Sequence, residues 1–151
     1  MGRDSVSIEI DREPAIVFDA IADVTRMGEW SPECTGGRWV GGATGPAPGA
    51  EFEGDNRVAL LGATLKRWTT TSKVTECVPG KVFAFVAEGY TTWRYDLEPT
   101  ATGTRITESY DYATPSGLQG FVYEKVVRRA SAMTRGMRRT LERLKQTIES
   151  T

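Results

Sequence analysis

The segment Met133-Thr134-Arg135-Gly136-Met137-Arg138-Arg139-Thr140-Leu141-Glu142-Arg143-Leu144-Lys145-Gln146-Thr147-Ile148 steps its apolar residues by three or four. At about 100° per residue, Met133, Met137, Leu141, Leu144 and Ile148 fall on one stripe of an α-helix. The stripe runs backward through Val122, Val126 and Ala130. Lys125, Arg128, Arg135, Arg138, Arg139, Arg143 and Lys145 occupy the opposite side. The spacing predicts one amphipathic helix of about thirty residues, beginning near Leu118. So long a helix with a single apolar stripe needs a partner surface.

The preceding residues supply that surface. Val6, Ile8 and Ile10 alternate with polar residues, the period of a half-buried strand. Asp11 offers an N-cap oxygen and Pro14 suits a first helical turn, so a first helix of about ten residues ends near Asp23. Val24 to Trp30 predicts a second short helix, stopped by Ser31-Pro32. From there to about residue 113 the pattern is β: Gly36 to Val40, Ala50 to Leu60, Thr64 to Val78, Lys81 to Ala87, Thr91 to Leu97 and Thr104 to Ala113. Gly41 to Gly49 is a loop by composition, and without a following Gly-Lys-Ser/Thr it is no phosphate cradle. Its expected use is flexibility beside a cavity entrance. The order strand, two short helices, six strands, long helix predicts an α+β fold with a sheet and a helix in separate layers. A curved sheet around one helix leaves space for a ligand. The expectation is one domain over residues 1–151.

Composition narrows the chemistry. The chain has 151 residues, no histidine and a formal net charge of −1. Imidazole-based catalysis is excluded. Cys34 and Cys77 stand 43 residues apart and form no metal-ligand pair, so no metal site and no cofactor is expected. Two buried thiols of a cytoplasmic protein are the expected state. No apolar run approaches the length of a membrane span, and the N-terminus lacks an apolar signal core. The charge is unevenly spread: residues 118–151 carry eight basic and three acidic side chains, the rest eleven and seventeen.

Seven stretches in order resemble one superfamily. They are Phe18-Asp19-Ala20-Ile21-Ala22-Asp23-Val24-Thr25-Arg26, Glu29-Trp30-Ser31-Pro32, Gly49-Ala50-Glu51-Phe52, Arg67 to Val74, Pro79-Gly80-Lys81-Val82-Phe83-Ala84-Phe85, Trp93 to Pro99 and Gly103 to Tyr110. The chain is similar to the START-related, Bet v 1-like (SRPBCC) superfamily, and within it to the polyketide cyclase/dehydrase-like group. The resemblance implies a helix-grip fold: a curved antiparallel sheet of about seven strands around a long C-terminal helix, with two short helices after strand 1. It also implies a deep, mostly apolar cavity. The group includes carriers of lipids and other hydrophobic ligands as well as aromatase/cyclases, and it shares no single catalytic motif to transfer.

Strand parity nominates the lining. Trp93, Tyr95 and Leu97 share one side of their strand; Ile106, Glu108, Tyr110 and Tyr112 share one side of the last. If that side faces inward, Glu108 is a carboxyl group in an apolar cavity, a general acid or base near neutral pH, with Tyr95 and Tyr110 as its partners. The alternatives are a Glu108 turned to solvent at a bend, or paired with an arginine. Trp30 fits the cavity mouth or the packing under the short helix. Trp68 fits the cavity wall with Thr70 and Ser72, or the outer face with Lys66. Phe52, Met133 and Met137 complete the candidate ligand contacts.

These readings lead to a small hydrophobic or aromatic ligand held by a carrier or sensor. The alternative is a polyketide aromatase/cyclase or dehydratase in the same cavity. The basic side of the last helix is a solvated face or a transient contact with anionic membranes. Nucleic acid is not an expected partner, since no recognition motif accompanies the basic residues.

Overall fold

The computed structural model describes residues 2–112 and 119–151; for residues 2, 58–60, 65, 112 and 119–132 it describes the backbone alone. β1 (Gly2–Ile10) leads into α1 (Pro14–Ile21) and a short 3-10 helix, η1 (Val24–Glu29). Six strands follow: β2 (Cys34–Val40), β3 (Glu51–Leu60), β4 (Ala63–Val78), β5 (Val82–Ala87), β6 (Thr91–Pro99) and β7 (Thr104–Tyr112). α2 (Gln119–Glu149) closes the chain. The strands form one sheet in the order β1-β7-β6-β5-β4-β3-β2, every neighbouring pair antiparallel. This is the helix-grip arrangement, with α2 across the concave face.

The apolar stripe of α2 packs as its spacing predicts. Met133, Met137, Leu141, Leu144 and Ile148 are all buried. Val122, Val126, Ala130, Lys125 and Arg128 lie outside the described side chains, as does Tyr112. The C-terminal end of α2 is tied down by polar contacts. The Arg12 guanidinium donates to the Glu149 carbonyl at 2.7 Å, the Asp11 amide to Glu149 Oε2 at 2.8 Å, and Lys145 Nζ to the Glu9 carbonyl at 2.9 Å. A cation on terminal carbonyls satisfies groups the helix itself leaves unpaired.

Asp11 is not the cap of α1. Pro14 occupies the first turn, which makes Glu13 the N-cap, and no side chain bonds there. Asp23 caps η1 instead, its Oδ1 accepting from the Thr25 amide at 3.1 Å.

Side-chain rows run across the sheet. At the closed end, Ile8, Ile106 and Leu97 align, then Val6, Glu108, Tyr95 and Phe83. Next come Tyr110, Trp93, Phe85 and Val74. Toward the other end the row shrinks to Thr91, Ala87 and Ser72 before reaching Phe52 and Trp39. Gly54 and Thr70 form the pair beyond it. Large side chains thus fill one end of the space under α2, and small ones leave the other end open.

η1 lies against β2 backbone to backbone. A Cβ added at Gly37 would sit 2.4 Å from the Val24 carbonyl oxygen. Gly37→Ala therefore destabilises the fold by about 1–3 kcal/mol through overpacking. Gly45→Ala, with nothing within 4 Å of its Cβ, stays within about 0.5 kcal/mol of wild type. Urea denaturation of the two variants checks the difference.

Candidate functional site

A cavity of about 1110 Å³ occupies the open end between sheet and helix. Its deep wall is Phe85, Trp93, Tyr95 and Glu108; Met133 and Met137 close it from α2. Ser31 to Cys34 and Trp30 form one side. Exposed Lys66, Tyr90, Arg135 and Arg139 lie at its rim.

Glu108 is the chemical centre. It is 4% exposed, flanked across the strands by Val6 and Tyr95. The Tyr95 hydroxyl donates to Glu108 Oε2 at 2.8 Å. Oε1 is the buried side-chain oxygen without a hydrogen-bond partner among the described residues. Among the described residues no arginine reaches Glu108, and it does not turn to solvent. Burial pushes its carboxyl up to about 8, against the smaller opposing effect of the Tyr95 hydrogen bond. At neutral pH the group is mostly the neutral acid. With Oε2 accepting from Tyr95, the proton belongs on Oε1. Burial and the neighbouring Glu108 hold the Tyr95 phenol well above its ordinary range, so it remains a hydrogen-bond donor.

The remaining candidates separate by position. Trp30 does both things its sequence context allows: it is 3% exposed in the core and lines the cavity, with the Arg26 guanidinium 5.1 Å from its ring centre. Phe52 lines the cavity while packing edge-on to Phe85 at 5.0 Å. Trp68 takes the cavity face, and Lys66 shares that face because its ammonium sits over the indole at 5.3 Å. Trp93 lines the cavity; Tyr110, on the Glu108 face of β7, is buried against the Trp93 ring, with centroids 5.8 Å apart, and is not among the lining residues.

Three further corrections follow. The Gly41 to Gly49 loop does not border this cavity; it lines a separate depression of about 500 Å³ at the opposite end of β3. Both cysteines are free, but only Cys34 is buried; Cys77 is half-buried. Arg135 and Arg139 are not simply opposite the apolar stripe, since both reach the cavity rim.

Several lining residues escaped the sequence argument. Asn56 shares parity with Phe52, and its Nδ2 donates to Thr70 Oγ1 at 3.2 Å. Extending that parity along β3 finds it. Thr140 and Cys34 line the cavity with no comparable signal.

The comparison with known proteins fits this geometry. The family model for polyketide cyclase / dehydrase and lipid transport matches residues 1–149. The chain belongs to that family. Among solved structures, the Polyketide_cyc-like protein from Corynebacterium glutamicum is 31% identical, with 97% of this chain and 91% of that one covered and a TM-score of 0.68. A protein from Nitrosomonas europaea shares the fold at 15% identity and a TM-score of 0.74, covering 99% and 95% of the two chains. The di-domain ARO/CYC StfQ from the steffimycin biosynthetic pathway gives 13% identity and a TM-score of 0.74; the alignment covers 98% of this chain and 50% of that one. No curated protein matches the chain. This member of the polyketide cyclase / dehydrase and lipid transport family has no helix, among the described residues, long and apolar enough to cross a membrane.

The displaced ionisation of Glu108 sets a pH dependence of stability. In the unfolded chain the group titrates near 4.5, in the folded chain near 8. Across that window the unfolded state has lost a proton that the folded state keeps. Its contribution is fully present below about pH 4.5 and is lost as pH rises through about 8. Relative to Glu108→Gln, wild-type stability falls with a slope of up to about 1.4 kcal/mol per pH unit within the window. Denaturation midpoints of the two proteins that run parallel from pH 5 to 8 would contradict this assignment.

Proposed function

We propose that the cavity binds a small, predominantly apolar molecule with one hydrogen-bond acceptor, and that the protein is a carrier or sensor of that molecule. The observation that carries this reading is the buried Glu108 on the cavity wall, beside Trp93 and Phe85, with its Oε1 unpartnered among the described residues. A buried donor without a partner costs free energy that an incoming carbonyl or hydroxyl oxygen recovers. Trp93, Phe52 and Phe85 supply flat apolar walls suited to an aromatic or lipid-like body. Met133 and Met137 adapt to its shape. The ligand-binding set we propose is Trp30, Phe52, Trp68, Trp93, Tyr95, Glu108, Met133 and Met137.

The second reading, a cyclase or dehydratase, draws on the Glu108–Tyr95 pair itself. A carboxyl group titrating near 8 can exchange a proton with a carbon adjacent to a carbonyl at neutral pH. Tyr95, held protonated, stabilises the pair from the other oxygen. In that case Glu108→Gln loses turnover while affinity changes little.

Binding is tested with a neutral aryl ketone such as 2-acetylnaphthalene, followed by tryptophan fluorescence. Wild-type affinity is expected to weaken roughly fivefold or more as pH rises through about 8, where Glu108 loses its donor proton. Glu108→Gln keeps an amide donor and gives a flat profile. Met137→Trp fills the cavity and lowers affinity at least about tenfold while the chain stays folded. Unchanged affinity in Met137→Trp places the ligand elsewhere and defeats the reading.

A further inference from the structure

The β3–β4 hairpin breaks three local rules at once. β4 loses β5 beyond Ser72 and β3 loses β2 beyond Asn56, so from the Arg57–Arg67 pair to the turn the hairpin is a two-stranded ribbon leaving the main sheet. Its tip is a two-residue turn, Leu61-Gly62, between the paired Leu60 and Ala63. Leu61 has φ +53 and Gly62 φ +82, the geometry of a type I′ turn, for which Asn-Gly is the favoured pair. A leucine there is conformationally unfavourable, and it buries nothing, being 98% exposed. Below the tip, Arg57 and Arg67 face each other directly across the strands. Both are exposed, and neither has an ion pair among the described residues. Like charges directly opposite destabilise a strand pair. Lys66, on the other face of the ribbon, adds a third cation.

These choices are unexplained by folding, and local rules that fail without structural gain mark functional positions. The apolar residue is at the extremity and the cations form a collar behind it. That order of groups matches an interface with acyl chains beneath anionic headgroups. The position agrees. Strand alternation puts the β5–β6 turn at the same end of the sheet, where Tyr90 is 59% exposed and lines the cavity. An exposed tyrosine suits the headgroup level. Arg135 and Arg139 stand on the rim of the same cavity.

We infer that the tip of the β3–β4 hairpin, Leu61 with its collar of Arg57, Lys66 and Arg67, docks this protein on an anionic lipid membrane surface. Docking there brings the cavity mouth to the bilayer through Tyr90, Lys66 and the α2 arginines. The contact so assigned is made by the hairpin first, with the basic side of α2 in support. It does not require any particular cavity ligand.

The experiment is co-sedimentation of the full chain with vesicles of phosphatidylcholine containing a quarter phosphatidylglycerol, and with phosphatidylcholine alone. Wild type is expected to pellet with the anionic vesicles and to be released by added salt. Leu61→Asn suits the turn better, so its melting temperature should equal or exceed wild type, yet its partition coefficient should fall roughly tenfold. Leu61→Gly, also compatible with positive φ, should behave the same way. The double variant Arg57→Gln/Arg67→Gln should lose the preference for anionic vesicles. Wild type remaining in the supernatant with anionic vesicles overturns the inference. So does Leu61→Asn binding as well as wild type. A wild-type dimer that Leu61→Asn converts to monomer also overturns it, by assigning the tip to a second copy of the chain.

Discussion

The structure depends on an uneven distribution of side-chain volume under one helix. A seven-stranded sheet can cover the apolar stripe of α2 completely only if every inward row is filled. Ile106, Leu97, Phe83 and Tyr110 do this at the closed end, where each is buried. Thr91, Ala87, Ser72, Thr70 and Gly54 do not do it at the other. The deficit is not a packing defect spread through the core but a row of small residues in register across three strands, Thr91, Ala87 and Ser72, with the Thr70–Gly54 pair beyond it. The helix still packs, because its C-terminal half rests on the filled rows and its end is held by Arg12, Lys145 and the Asp11 amide.

Glu108 stands at the boundary between the two regimes. Its row is otherwise Val6, Tyr95 and Phe83, so no residue of that row compensates a negative charge. Burial alone favours the neutral acid, and the single hydrogen bond from Tyr95 is too little to reverse it. The same environment that makes the group costly to ionise makes its free oxygen useful. In the ligand-binding reading proposed above, that oxygen selects molecules that bring an acceptor atom to it.

Much of this was legible before any coordinates, for identifiable reasons. Parity groups Trp93, Tyr95 and Leu97 on one face and Ile106 and Glu108 on one face because the β6–β7 register is unbroken over their whole length, but parity alone leaves open which way Glu108 turns. The stripe of α2 was legible because helical spacing is preserved from Met133 to Ile148. Where bulges interrupt the ladders, between Val58 and Ala59 and between Val74 and Glu76, parity loses its reach. Tyr110 shows a different limit. It shares the face of Glu108 yet is buried against the Trp93 ring, and packing against a large neighbour has no periodic signature. Asp11 fails as the cap of α1 for a simpler cause. Proline in the first turn fixes the preceding Glu13 as the boundary residue, two positions after Asp11. The choice between two faces for Trp68 rested on Lys66, and a cation stacked on an indole at the cavity rim reconciles them.

The account turns on the protonation of one carboxyl group. Carbon-detected NMR titration of the protein labelled at glutamate side-chain carboxyl carbons, with Glu108 assigned by its absence in Glu108→Gln, measures it directly. The account predicts one glutamate resonance that stays in the protonated position through pH 6 and inflects near pH 8. A Glu108 resonance that titrates below pH 5, among the exposed glutamates, would contradict it and leave the cavity without its neutral donor.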